Sequence, residues 1–273
     1  MLFDLGTGKK KRVIQVIYGM LALLFLVGFV GFGIGGEIGS GGIADIFTDD
    51  SGDIEETQFS EDADEIEQQL ESQPRNQELL VQLISTRYSA GNALVQTDEE
   101  TGLPVVTEEA EQEYEQAADA WDRYTALNPQ PLSTSAATFA VQTFTVLAQN
   151  ASSETDADTN WAAAADAQDL LVKRRPTVGN FSNLAFYSYA SLNFKRGDEA
   201  AERAAALAAN PGARKRIERQ LASFRQQAKA YEAQRQAQEQ QENQGGGSGA
   251  PDVPENPLGD VGGGGALSPT PTP

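Results

Sequence analysis

From Phe59 to Tyr231 the apolar residues return every third or fourth position, and no run of β-branched residues alternates with a period of two. That spacing lines apolar side chains along one face of a helix, so it predicts an all-α body without a sheet. Phe59, Ala63, Ile66 and Leu70 form the first stripe, with Ser60 as the expected cap, Glu61 and Asp62 in the first turn and Pro74 as the stop. Leu80, Ile84 and Tyr88 mark a second helix ending near Gly91. Ala110, Tyr114, Ala117, Trp121 and Tyr124 mark a longer third, stopped by Asn128-Pro129. A fourth carries Ala136, Ala140, Phe144 and Leu147. Trp161, Ala164, Ala165 and Leu171 form a fifth, closed by Lys173, Arg174 and Arg175 at the end where cations suit the helix dipole. Leu184, Tyr187 and Phe194 read as one further helix, followed by Ala200, Ala204 and Leu207 up to Asn210-Pro211-Gly212. Ile217, Leu221, Phe224, Ala228 and Tyr231 run along a last, long polar helix.

A segment of another kind precedes this body. Val13–Ile34 carries no charge, and Gln15 is its only strongly polar residue. A helix of that length spans roughly 33 Å, enough for a hydrocarbon core of about 30 Å. Cleaved secretory signals have shorter apolar regions, about 7–15 residues, and a small-x-small cleavage site. No Ala-x-Ala follows here, Gly33-x-Gly35 and Gly39-x-Gly41 are poor substitutes, and the chain has no Cys for a lipoprotein anchor. The segment is therefore read as a retained anchor, with a cleaved signal as the competing reading. Lys9, Lys10, Lys11 and Arg12 precede it, and Glu37, Asp45, Asp49 and Asp50 follow. Basic flanks stay cytoplasmic. The expected protein is thus single-pass in the cell membrane, with its N-terminus cytoplasmic and its C-terminal domain extracytoplasmic.

The expected organisation is a basic N-terminus (1–12), a transmembrane helix (13–35), a flexible Gly-rich and acidic linker (36–57), a helical domain (58–243) and a tail (244–273). Nine Gly and six Pro fall within 245–273, a composition that neither buries a core nor holds a helix, so the tail reads as disordered. No second apolar segment appears, so one contact with the bilayer is expected.

Charge and composition exclude several functions. The net charge is −20, yet the first twelve residues hold four basic groups and one acid, leaving −23 for the rest. So acidic a body repels phosphate, and no nucleic acid is expected as partner. The sequence holds no Cys and no His. Ser-His-Asp and Cys-His nucleophile systems are impossible, as are the usual zinc sites. No cofactor, no metal and no enzymatic activity are expected.

The helices fall into pairs whose second member is Ala-rich and ends in Asn-Pro, as in AADAWDRYTALNP (117–129) and AERAAALAANP (201–211). Small residues let one helix pack closely on another, and Pro forces a turn to the next pair. Repetition on this scale marks a helical solenoid. Tyr88, Ala117, Trp121 and Pro129 carry the resemblance: the chain resembles the tetratricopeptide repeat (TPR) family, whose pattern sets an aromatic residue four positions after a small one and Pro eight beyond. Three degenerate repeats and a capping helix (212–243) would cover most of 75–243. Two polar insertions depart from the pattern, at 92–107 and ASSETDADTN (151–160), and the third pair is short between Gly197 and Pro211. An irregular helical bundle is the competing reading. The anchor also resembles those of PpiD-type membrane-tethered chaperones and their YfgM-type TPR companions at the Sec translocon, in its order of basic patch, apolar span, Gly cluster and exported domain.

Other motifs fail on context. Gly31-x-Gly33-x-x-Gly36 matches a dinucleotide fingerprint but lies at the end of the expected span, without strand or helix around it. Gly31-x-x-x-Gly35 would instead let two span helices approach, as a homo-oligomer contact. Asp156-x-Asp158-x-Asn160 opens like a calcium loop, but Trp161 and Ala167 hold the places that need Gly and Glu. Asn150-Ala151-Ser152 and Asn180-Phe181-Ser182 are glycosylation sequons. Paired carboxylates such as Glu55-Glu56 and Glu108-Glu109 lack the apolar neighbours that raise a pKa, and read as solvated faces.

The TPR resemblance implies a concave groove lined by the first helix of each pair, open to an extended or helical peptide. Gln82, Thr86 and Ser89 are its expected lining on the first pair, and Asn183, Tyr187 and Tyr189 on the third. The tyrosines serve equally well as core. The expected function is a non-enzymatic protein–protein interaction module, a scaffold or co-chaperone for exported proteins near the secretion machinery. The alternative is a structural envelope protein that organises a wall or division assembly. A Cys at Ser51 is expected to react with a membrane-impermeant thiol reagent in intact cells or spheroplasts, and a Cys at Gly6 to stay unlabelled, with the protein at full-length mass. The reverse labelling would overturn the orientation, and a shortened protein would overturn the retained anchor.

Overall fold

A computed structural model describes residues 58–98 and 103–245. The basic N-terminus, the expected span, the linker and the tail beyond residue 245 lie outside the described residues. Within those described, no helix is long and apolar enough to cross a membrane.

The described chain is helical, with one short ribbon. Its elements are α1 (Gln58–Ser72), α2 (Gln77–Ala93), β1 (Gln96–Thr97), β2 (Pro104–Val105), α3 (Glu108–Ala126), α4 (Thr134–Asn150), α5 (Glu154–Arg174), α6 (Val178–Ala190), α7 (Phe194–Ala206) and α8 (Pro211–Gly245). Two compact units divide it: one runs through Ala228, and the other, from Lys229 on, holds the remainder of α8. In that remainder the Arg235 guanidinium lies over the Tyr231 ring.

Local sequence sets most of the boundaries. Asn76, Thr107, Ser133, Ser153, Thr177 and Asn193 each cap a helix, a side-chain oxygen accepting an otherwise orphaned backbone N–H. Asn210 does the same for α8, accepting from the Ala213 N–H at 2.8 Å just before Pro211 at the first helical position. α3 ends with Asn128 at φ 49°, the left-handed stop that Asn tolerates. Ser60 does not cap α1, which begins two residues earlier; its hydroxyl donates to Glu113 instead.

Four further expectations are corrected. Leu184, Tyr187 and Phe194 do not share a helix. Leu192, at φ 59°, breaks the chain between α6 and α7. The Leu192 N–H donates to the Tyr189 carbonyl and the Asn193 N–H to the Ser188 carbonyl, the two bonds of a Schellman stop. The expected polar insertion 151–160 is mostly helical: α5 starts at Glu154, so the Asp156, Asp158 and Asn160 run lies within it. The segment 92–107 folds in part as an antiparallel ribbon pairing Gln96 with Val105 and Thr97 with Pro104. α8 also continues through Gly245, two residues into the stretch assigned to the tail.

Consecutive helices pair as hairpins, α2 with α3, α4 with α5 and α6 with α7, and each hairpin packs on the next. First helices also meet, with the Tyr88 ring of α2 5.4 Å from Phe139 of α4. One apolar cluster joins α1 to α5 and another joins α4 to α8. Ala110, Ala117, Ala120, Ala136, Ala140 and Ala164 are fully buried, so methyl groups form much of the surface between helices. Where a ring needs more room than a methyl leaves, the facing residue is Gly. A Cβ on Gly91 would stand 2.8 Å from the Tyr114 ring, and one on Gly197 would strike Tyr189.

Gly91→Ala is therefore expected to destabilise. Overpacking costs about 1–3 kcal/mol, and better helix propensity returns at most about 1 kcal/mol. Leu192→Gly should do the opposite, relieving about 1 kcal/mol of left-handed strain. Urea melts of both variants check the two signs, and a stable Gly91→Ala would show that Tyr114 does not seat there.

Candidate functional site

The two sets of groove residues sit on separate hairpins. α2 packs against α1, α3 and α4, and α6 against α5 and α7. On α2, Gln82 is exposed, while Thr86 and Ser89 are half-buried and the Ser89 hydroxyl donates to the Ser85 carbonyl at 2.9 Å. On α6, Asn183 is exposed. Tyr187 is half-buried where the two apolar clusters meet. Its ring stacks on Trp161 with centroids 6.0 Å apart and meets the edge of Phe186 at 5.3 Å, and its hydroxyl hydrogen-bonds Thr145. Tyr189 is expected at the groove but lies in the core, 3% exposed, packed over Gly197 with its hydroxyl donating to Asp198 at 2.9 Å. Gln82 and Asn183 are thus the fully accessible members, with Thr86, Ser89 and Tyr187 offering one edge each.

The repeat-signature residues are all buried: Tyr88, Ala117, Trp121 and Pro129. Trp121 lies 5.9 Å from the Tyr124 ring, and the Tyr124 hydroxyl accepts the Ser133 N–H at 2.7 Å. That bond ties the end of α3 to the cap of α4.

Sequence reasoning missed the most constrained charged group. Arg87 is 5% exposed on α2 and reaches both neighbours. One guanidinium nitrogen donates to Glu113 of α3 at 3.0 Å and the other to Asp64 of α1 at 2.6 Å. Glu113 is itself buried and also accepts from Ser60. The signal was legible in part: Arg87 follows Leu83 and Ile84 at helical spacing, and Glu113 falls between Ala110 and Ala117, so both occupy the apolar stripes. A buried pair of this kind gives little net stability, but removing one partner strands the other charge. The arrangement orients three helices; it brings no reactive group toward a cleft. Among the described residues, no group of His, Cys, Asp or Glu could hold a metal ion. No protein-family model, curated protein or solved structure matches the chain.

The four tyrosines share one electrostatic trait. Burial pushes the Tyr88, Tyr114, Tyr187 and Tyr189 hydroxyls above their ordinary value, and at Tyr189 the bond to Asp198 adds to it. A raised folded-state pKa means that the native chain holds its phenolic protons after the unfolded chain has released them. Stability from these groups is full below the unfolded value of 10.0 and falls as pH rises through it. Urea midpoints between about pH 9 and about pH 12 should show this loss, with a shallower slope in Tyr114→Phe/Tyr189→Phe. An unchanged slope would mean that these hydroxyls are not the groups being titrated.

Proposed function

We propose that this chain is a membrane-anchored helical-repeat protein whose work is to bind other proteins, with the repeats of TPR type and no catalytic activity. The observation that carries the reading is the run of three consecutive hairpins, α2/α3, α4/α5 and α6/α7, each packed on the next, with the first helices α2 and α4 in contact. Such a stack leaves a continuous surface built from successive helices, suited to an extended or helical peptide rather than a small molecule. Gln82 and Asn183 supply exposed amides on it, and Thr86, Ser89 and the edge of Tyr187 supply hydroxyls and a flat apolar body. The uncharged segment 13–35, with Lys9 to Arg12 before it, supports attachment to the bilayer with the repeats on the far side. The order of anchor, linker and repeats supports a scaffold or co-chaperone acting on exported proteins near the secretion machinery. The lack of Cys and His in the whole sequence supports a non-enzymatic role.

Photo-crosslinkers at Gln82 and Asn183 of the full chain, in cells and then in mild detergent, are expected to capture a protein partner, while one at exposed Glu115 of α3 captures none. Gln82→Arg/Asn183→Arg should weaken that contact about tenfold, or ~1.4 kcal/mol. Translocon subunits or folding factors among the captured proteins would support the secretion reading, and wall or division components the structural alternative. Equal capture from all three positions would overturn the groove.

A further inference from the structure

The first and last described helices of the first unit carry opposite charge. α1 holds Glu61, Asp62, Asp64, Glu65, Glu67 and Glu71 and no basic residue. α8, up to Ala228, holds Arg214, Lys215, Arg216, Arg219 and Arg225 against the single acid Glu218. The chain as a whole is strongly acidic, with a net charge of −20.

Part of this charge is used inside the fold. Asp64 pairs with Arg87, Glu67 with Arg123 and Arg225 with Asp198. The remainder faces outward. On α1, Glu61 and Glu65 lie opposite the buried Ala63 and Leu70 and are exposed. On α8, Lys215, Arg216 and Arg219 lie away from the buried Ile217, Leu221 and Phe224 and are exposed. A shallow, open cleft at the edge of this stripe is lined by Arg216, Arg219, Gln220, Ser223 and Phe224.

Arg214 pairs with Glu218 along α8 at 2.8 Å, and Arg219 donates to the Lys215 carbonyl. Lys215 and Arg216 stand near the start of α8, where the helix dipole disfavours cations, and Glu71 stands in the last turn of α1, where it disfavours anions. Both helices form the limits of the packed stack: α1 belongs to the first apolar cluster and α8 to the second. A second copy of this chain carries the complement of each.

We propose that the basic stripe of α8 docks on the acidic outer face of α1 of another copy, so that chains associate head to tail. Each copy then offers one free acidic end and one free basic end, a heterologous contact that extends into rows or closes into a ring. Like-charge repulsion between the acidic bodies opposes other arrangements and favours the one that sets the basic stripe against acid. Because the paired groups are exposed, the contact is weak and salt-sensitive.

Charge reversal tests this on the full chain in mild detergent, by sedimentation. The wild-type mass should rise with concentration at about 0.1 M salt and return to monomer at about 1 M, where the screening length falls from about 10 Å to about 3 Å. Arg216→Glu/Arg219→Glu and Glu61→Lys/Glu65→Lys should each associate at least tenfold more weakly alone. An equimolar mixture of the two should recover association, since each then supplies the end that the other needs. Recovery also shows that both variants fold; if either fails to fold, Arg216→Gln/Arg219→Gln or Glu61→Gln/Glu65→Gln takes its place, and loss of association in both remains the expected result. A wild type that stays monomeric, or association that neither reversal changes, overturns the proposal; the latter would point to the span. Binding to anionic phosphatidylglycerol vesicles that depends on Arg216 and Arg219, with self-association unaffected, overturns it in favour of a lipid headgroup. Crosslinking from Gln82 and Asn183 is expected to survive both reversals, so this proposal and the protein-binding surface stand or fall separately.

Discussion

The helical stack depends on rings seated against surfaces that have almost no side chain. Alanine contributes little apolar area, so an alanine face gains cohesion only when something broad covers it. Tyr114 lies against Gly91, Tyr189 against Gly197, and Tyr88 between Tyr114 and Phe139. Choosing tyrosine for several of these seats has a consequence. Each buried hydroxyl must find a partner, because an unpaired one costs about 1–3 kcal/mol. Tyr114 donates to Asn92, Tyr189 to Asp198, and Tyr124 accepts from the Ser133 backbone. The aromatic packing therefore dictates much of the polar network, and the same contacts that hold a hairpin together also tie its ends.

Charged pairs act on a different level. Two connect helices that are not partners in a hairpin: Arg123 of α3 holds Glu67 of α1, and Arg196 of α7 holds Asp166 of α5; Arg87 of α2 reaches both its hairpin partner α3 and α1 outside the hairpin. Arg123 and Glu67 are partly solvated, as are Arg196 and Asp166, so these pairs add little free energy. Their effect is on register: Arg196 donates from one nitrogen to Asp166 and from the other to the Ala165 carbonyl, and Arg123 from one nitrogen to both Glu67 oxygens, which fixes where one helix stands along another. Arg87 differs because both it and Glu113 have left water. Neither can be lost without stranding the other, which makes this pair a constraint on how α1, α2 and α3 are assembled rather than a source of stability.

The protein-binding reading and the self-association proposal draw on separate parts of the molecule. The first concerns the surface of successive first helices, where Gln82 and Asn183 are exposed and Tyr187 presents an edge. The second concerns the outer faces of α1 and α8. A repeat stack allows this division, because each hairpin is stabilised by its neighbours and its remaining face is left to solvent. The relocation of Tyr189 from groove to core is instructive here. Tyr187 and Tyr189 are two residues apart on one helix, so they cannot face the same way, and the ring with Gly197 opposite it is the one drawn inside.

The amino-acid sequence by itself determined the helical class, the order of the helices and the stops of α1, α2, α3, α5 and α7. Those features rest on interactions within a few residues: apolar spacing throughout, and Pro74, Pro129, Pro176 and Pro211 after four of the helices. Only the tertiary structure decided which charges would be buried, as with Arg87 and Glu113, which are 26 positions apart and meet only after α2 and α3 pair. It also decided the break at Leu192. A leucine gives no local warning of a left-handed turn, and the strain there is held by the Ser188 and Tyr189 carbonyls and by the packing of α6 against α7. The ribbon at 96–105 leaves no mark in the sequence for the same reason: two residues per strand make no periodicity, and pairing alone defines them. Propensity and capping act along the chain, whereas desolvation and steric fit act across it.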